Sequence, residues 1–204
     1  ADTWLYGNAR GGLTLNGPTT TITAYGYARN NNGDILINPL SGLPVIDATF
    51  KVRGDRNPDF TLGWLNNFKW KRFSLNMLFD IKVGGDVFNG TEMYLTRIGR
   101  SNRTIDRYNS RVITGVLNDG KQNTATPTVN TIAITPAFLQ TYYTAMPEEE
   151  FIQKNVNWFR VRDISLAYTF KPGIIKGITS LAAFVTVNDL ILITNYNGAD
   201  PQVN

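Results

Sequence analysis

Cysteine and histidine are both missing from the 204 residues of this chain, and the two absences exclude a wide range of chemistry. Without cysteine there is no disulfide framework, thiolate nucleophile or cysteine-based zinc site. Without histidine the commonest general base and the commonest metal ligand are gone. An enzyme made from this chain would have to work with carboxylates, lysine, tyrosine or serine. Phosphate loops, dinucleotide fingerprints and nucleophile elbows are absent too, so the reading is of a non-enzyme with no catalytic residue, metal or cofactor. No run of about 18 apolar residues occurs, so no transmembrane helix is expected. The longest apolar clusters, 177–187 and 190–193, are short and mixed. The amino end, Ala1-Asp2-Thr3-Trp4, carries neither a basic nor an apolar leader segment. Charge is modest, at a formal +4, and no nucleic-acid-binding motif accompanies it, so nucleic acid is not an expected partner.

What the chain does contain is alternation. Residues 1–58 are rich in turn formers (Gly11-Gly12, Gly17-Pro18, Asn32-Gly33-Asp34, Ser41-Gly42), with β-prone pieces at 20–27 and 34–37, and read as loops and short hairpins. From Phe60 the pattern becomes regular. Phe60, Leu62, Trp64, Phe68 and Trp70 share one parity, interrupted by Asn66, and a basic turn follows at Trp70-Lys71-Arg72. Phe73, Leu75, Met77, Phe79 and Ile81 then alternate with Ser74, Asn76, Leu78, Asp80 and Lys82. That is a period of two over the roughly 9–11 residues that a tilted membrane strand requires. A hairpin over 59–83 is therefore expected.

A second hairpin is expected over 158–190. Ile164, Leu166, Tyr168 and Phe170 alternate with polar or small residues, as do Leu181, Ala183, Val185 and Val187 after a turn at 171–179. Arg160 and Arg162 break the rule by sharing parity with Ile164, which a β-bulge or a strand rising out of a bilayer would explain. The stretch 84–157 is long, polar and irregular, with short helices expected after Thr135-Pro136 (137–144) and after Met146-Pro147. Two architectures share this pattern. One is an antiparallel all-β transmembrane barrel, with short periplasmic turns and long extracellular loops at 84–157 and 191–204. The other is a soluble β-sandwich serving adhesion or carbohydrate binding. Bulky Phe, Leu, Trp and Met favour the barrel.

Four stretches carry a resemblance to a known family. They are Gly54-Asp55-Arg56-Asn57-Pro58-Asp59-Phe60-Thr61-Leu62-Gly63, Phe73-Ser74-Leu75 through Gly84-Gly85-Asp86-Val87-Phe88-Asn89, Asn157-Trp158-Phe159-Arg160-Val161-Arg162-Asp163-Ile164-Ser165-Leu166-Ala167-Tyr168, and Val185-Thr186-Val187-Asn188-Asp189-Leu190 through Tyr196-Asn197-Gly198-Ala199-Asp200-Pro201. In this order they resemble the C-terminal barrel of the SusC/RagA family of TonB-dependent outer-membrane transporters of Bacteroidota. The resemblance implies part of a large barrel in the outer membrane of a Gram-negative bacterium. It also implies TonB engaged through an N-terminal region, a SusD-like surface lipoprotein as partner, and an oligosaccharide or peptide as substrate. Members carry a plug domain before this region and a further strand after it, so the chain is expected to be truncated at both ends. Phe73, Leu75, Met77, Phe79, Ile81, Leu166, Tyr168 and Val185 would then face outer-membrane lipid. Ser74, Asn76, Asp80, Ser165, Thr169, Thr186 and Asn188 would face the lumen. Trp70, Phe73, Phe88, Trp158, Phe159 and Phe170 would supply interfacial girdles.

Candidate contact residues lie in or beside the long loop. Tyr94, Tyr142, Tyr143 and Trp158 offer rings on which a sugar face can stack, or else, the plainer reading, pack the loop or line a partner interface. Arg97, Arg100 and Arg103, continued by Arg107 and Arg111, have helical spacing, yet Gly99 and neighbouring Thr and Asn residues disfavour a helix. These arginines either meet an anionic group or form local salt bridges in a solvated loop, the plainer reading. Asp55, Asn57 and Asp59 mimic calcium-ligand spacing, but Pro58 intrudes and a turn-forming role fits better.

Overall fold

The computed structural model describes residues 3–12, 17–139 and 141–202. The chain divides into two units. One comprises residues up to 56, 86–154 and 198 onward, and the other 57–85 and 155–197.

The first unit opens with strands β1 (Thr3–Tyr6), β2 (Ala9–Gly12), β3 (Thr21–Tyr27), β4 (Leu36–Ile37) and β5 (Ile46–Asp55). Four of them form an antiparallel sheet in the order β1-β2-β3-β5. The ten-residue β5 is a departure from the expected loops and short hairpins. Its sequence, Ile46-Asp-Ala-Thr-Phe-Lys-Val-Arg-Gly-Asp55, is strand-prone, but its register slips against β3 at two places and so blurs any simple alternation.

The second unit takes β6 (Phe60–Trp70) and β7 (Phe73–Val83). The chain then returns to the first unit through β8 (Val87–Phe88), α1 (Gly90–Arg97), β9 (Arg111–Val112), β10 (Val116–Leu117), β11 (Ala133–Ile134), α2 (Thr141–Thr144) and β12 (Ile152–Gln153). Two more strands, β13 (Trp158–Thr169) and β14 (Ala182–Thr194), complete the second unit. Strand β14 thus runs four residues past the expected boundary at 190. Helix α1 was not foreseen. Asn89 caps it by accepting from Glu92 N–H at 2.9 Å, and Arg97 closes its last turn, where a cation suits the helix dipole. The helix expected over 137–144 is instead a 3-10 turn at Pro136–Phe138 and the single turn α2. Pro147 precedes another 3-10 turn at Glu148–Phe151.

In the first unit the buried centre is formed by Ala9, Ile22, Ala24, Phe88, Met93, Phe151 and Ile152. Phe88 is therefore a core residue, 6% exposed, and not part of a girdle. Its two-residue strand β8 is pinned antiparallel to β12 and draws its ring inward.

The second unit is one antiparallel sheet in the order β14-β13-β7-β6, with two free edges and no closure among the described residues. Register assigns every side chain to a face, because directly opposed residues share one. On one face the rows read Leu62-Ile81-Phe159-Ile193, Trp64-Phe79-Val161-Ile191, Asn66-Met77-Ile164-Val187, Phe68-Leu75-Leu166-Val185 and Trp70-Phe73-Tyr168-Ala183. Asn66 alone carries an amide in these rows. The other face reads Thr61-Lys82-Trp158-Thr194, Gly63-Asp80-Arg160-Leu192, Leu65-Leu78-Asp163-Asn188, Asn67-Asn76-Ser165-Thr186 and Lys69-Ser74-Ala167-Phe184. All residues expected on the apolar face and on the polar face fall on those faces.

The arginine anomaly is a bulge. The pairing of β13 slips between Val161 and Asp163 against both neighbours, and β14 steps from Asn188 to Ile191 opposite the same point, with Asp189 at φ +49°. The extra residue keeps Val161 and Ile164 on the apolar face despite the polar pair between them. At one end of the sheet β6 and β7 are joined by Lys71-Arg72 alone. The four strand ends at which the chain leaves this unit all lie at the opposite end, as Phe60 opposite Val83 and Trp158 opposite Lys82 and Thr194 require.

Candidate functional site

The long insertion between β7 and β13 is organised by three consecutive glutamates. Pro147 directs the chain into the 3-10 turn, and each carboxylate that follows takes at least one arginine. Glu148, almost fully buried, lies 3.8 Å from Arg97 and accepts from Asn8 N–H at 3.1 Å. Glu149 meets Arg29 at 3.2 Å and Arg53 at 3.4 Å, and accepts from Tyr27 N–H at 3.0 Å. Glu150 holds Arg103 at 2.6 Å. Gly26 makes this approach feasible, since a Cβ there would overlap Glu149 Oε2 and Arg53 Cζ. Asp47 extends the network to Lys51 at 2.7 Å and Arg53 at 3.4 Å, and the Lys51 hydrogen bond holds its carboxyl far below the usual range.

Beside this network is a pocket of about 290 Å³ lined by Tyr27, Ile46, Ile113, Tyr142, Met146 and Glu150, among others. Burial, reinforced by the Glu150 charge, pushes the Tyr27 phenol far above its ordinary value, so it is a neutral hydroxyl at any physiological pH. The pocket therefore offers two aromatic rings, aliphatic walls, and a carboxylate already committed to an arginine. Such a lining suits an apolar face or ring with a few polar edges. It provides no acid–base pair.

The candidate residues are distributed as follows. Tyr142 lines the pocket and meets Tyr143 edge to face at 4.7 Å. Tyr143 donates its hydroxyl to Arg103 O at 3.5 Å, and burial raises its pKa. Tyr94 is exposed on α1. Arg97 and Arg103 are the glutamate partners, and Arg103 also lies 5.3 Å from the Phe151 ring centre. Arg100 is exposed, with no salt bridge among the described residues. Arg111 pairs instead with Asp106 at 2.7 Å, an interaction that depresses the Asp106 carboxyl. Trp158 belongs to the second unit, where Lys82 Nζ lies 4.5 Å over its ring. The arginine series does not form one helical face, because α1 ends at Arg97.

Arg29, Arg53, Asp47 and Tyr27 were not anticipated. They come from β3, β5 and their connection, more than 90 residues from the glutamates in sequence, and only the β3–β5 pairing brings them there. The single local hint was the run of three acids in an otherwise basic chain. Asp55 ends β5 and accepts from Thr20 Oγ1 at 2.5 Å, and Asp59 N–H donates to Val83 O at 2.8 Å. Among the described residues no group of three or more Asp or Glu is arranged to hold a metal.

No protein-family model matches the chain. TonB-dependent receptor P3 of Formosa agariphila is 28% identical to it over 191 residues, which is 93% of this chain and 17% of that protein. The solved structure of the RagAB peptide transporter is similar at a TM-score of 0.50 and 15% identity, covering 90% of this chain and 20% of that one. This chain is similar to a segment of a SusC/RagA-like TonB-dependent receptor. It spans about a fifth of the length of the proteins it matches. The structural likeness shows the fold of the segment: mostly antiparallel strands, little helix, and a sheet like part of an outer-membrane barrel. Among the described residues no helix is long and apolar enough to cross a membrane, which bears only on helical spans. The relatives are a receptor and a transporter, not enzymes.

Proposed function

We propose that this chain forms wall and extracellular loops of a TonB-dependent importer in the outer membrane of a Gram-negative bacterium. The observation that carries the reading is the two-faced sheet of the second unit. Its apolar rows are wide, unbroken except at Asn66, and exposed, with Trp64 at 56% and Phe68 at 57%. A soluble protein rarely leaves an apolar surface of that extent bare. Lipid on that side and water on the other account for both faces at once. The two free edges would be closed by further strands of the same barrel, since an open edge is not tolerated in hydrocarbon. The turns at 71–72 and 170–181 would be periplasmic, and the segments 84–157 and 195–204 extracellular.

By the same reading the first unit stands where cargo and a SusD-like lipoprotein meet the transporter. The exposed ring of Tyr94 and the pair Tyr142–Tyr143 are suited to stacking on a sugar or on a peptide side chain. Arg97, Arg100 and Arg103 would brace or extend that surface, and Trp158 would stand on the lumen side. The cargo is an oligosaccharide or a peptide. The RagAB relative is named as a peptide transporter, which supports the second.

Fractionation of cells expressing the intact protein tests the assignment. The expected result is recovery with outer membranes, extraction only by detergent, and a heat-dependent shift in gel mobility. Recovery as a detergent-free soluble monomer would overturn it in favour of a soluble β-sandwich module.

A further inference from the structure

Charge on the four-stranded sheet is segregated along its length. Lys69, Lys71, Arg72, Lys171 and Lys176 lie at the short-turn end, and no aspartate or glutamate occurs over 60–79 or 164–188. The carboxylates Asp80, Asp163 and Asp189 all lie in the other half, where Arg162 pairs with Asp80 and Arg160 with Asp189. No salt bridge involves any of the five turn-end cations among the described residues. A surface that faces only water ordinarily mixes its signs, which keeps the local field small.

Two further observations join these cations to a membrane level. Thr169 N–H donates to Arg72 O at 2.9 Å, which sets the two basic turns side by side. On the apolar face an aromatic row crosses the sheet just inside those turns. Trp70 stacks on Phe73 at 6.3 Å, Phe73 meets Tyr168 at 4.8 Å, and Tyr168 meets Phe170 at 4.9 Å. Lys71 Nζ lies 4.9 Å from the Trp70 ring centre, so the cation and the aromatic row share one level. Amphipathic rings settle at the headgroup depth of a bilayer, and neighbouring Lys and Arg side chains extend into the headgroups.

From this arrangement we infer that the short-turn end of the sheet binds anionic phospholipid headgroups. The phosphodiester is held by Lys71, Arg72 and Lys171, while the aromatic row packs the upper acyl chains. The inference rests on the barrel assignment above and adds a ligand to it. Positive residues beside an anionic bilayer surface gain an attraction that falls off within a Debye length, so selectivity by headgroup charge and sensitivity to salt follow together.

The test uses the intact receptor, reconstituted in bilayers of equimolar phosphatidylglycerol and phosphatidylcholine with matched acyl chains. Lipids retained after extraction are counted by native mass spectrometry. Retention of phosphatidylglycerol over phosphatidylcholine on the order of five-fold or more is expected for the wild type. The triple variant Lys71→Gln, Arg72→Gln, Lys171→Gln should bring that ratio close to one. Salt at about 1 M, where the Debye length is about 3 Å, should do the same to the wild-type protein, so the question is decided even if the variant fails to fold. Equal retention by the wild type, or a preference that survives both treatments, overturns the inference and leaves the barrel standing. Failure of the intact protein to enter bilayers overturns both.

Discussion

Arg162 Nη2 lies 2.6 Å from Asp80 Oδ2, across the β13–β7 pairing and at the residue that β13 carries in excess. Val161 and Ile164 are three positions apart and share a face only because Arg162 is in excess between them, so the bulge and the ion pair belong together. Both side chains are partly solvated, which limits the worth of the contact. A double-mutant cycle of Asp80→Ala and Arg162→Ala should give a coupling of about 0.5–1 kcal/mol in urea unfolding of the reconstituted protein. Additive single effects would show that the pair contributes nothing to holding the bulge.

Face assignment makes an asymmetric prediction at adjacent positions. Leu75 lies in the apolar rows and Asn76 in the polar ones. Leu75→Arg should cost about 2–4 kcal/mol near the bilayer midplane and less toward the interface. Asn76→Arg should change stability by about 0.5 kcal/mol or less, as a substitution facing water does. The same unfolding assay checks both, and equal costs would mean that the sheet does not separate lipid from lumen.

The contrast between the two units shows what can be read from a sequence of this kind. Both faces of the large sheet were legible because a period of two assigns each residue to a side, and even the bulge announced itself as the parity clash of Arg160 with Ile164. The first unit was opaque for the opposite reason. Its strands are short or slipped, and its helix α1 starts at Gly90 with Thr91 beside it, both weak helix formers, so the helix depends on the Asn89 cap and on the burial of Met93. The part of the glutamate–arginine network made by Arg29 and Arg53 could not be foreseen, since they reach Glu149 only through the β3–β5 pairing. Phe88 shows the limit of counting aromatics near strand ends, because its environment depends on which unit its strand joins.

Glu148 is the most enclosed member of that network, and it satisfies Asn8 N–H while facing Arg97. Glu148→Ala leaves a buried amide and a cation without that carboxylate, at a cost of about 2–4 kcal/mol. Glu148→Gln keeps an acceptor for Asn8 and should cost less. Amide hydrogen exchange of 86–154 in the intact protein should therefore rise more in the alanine variant than in the glutamine variant. Equal protection in both variants and wild type would mean that the insertion is held by its apolar centre alone.

Tyr27 provides a test at alkaline pH. Its phenol is pushed well above the ordinary value, chiefly by burial and then by the Glu150 charge. The folded state thus holds the proton more tightly than the unfolded chain, in which tyrosine ionises near about pH 10. The stabilisation is fully present below that pH and is lost progressively as pH rises from there toward the folded-state value. In the native protein, phenolate absorbance near 295 nm should rise identically in wild type and Tyr27→Phe up to about pH 11. The two curves should separate by one tyrosine's absorbance only when the protein is unfolded in denaturant. Loss of one tyrosine's absorbance near pH 10 in the native variant would show that the ring is open to water and that burial does not hold its proton.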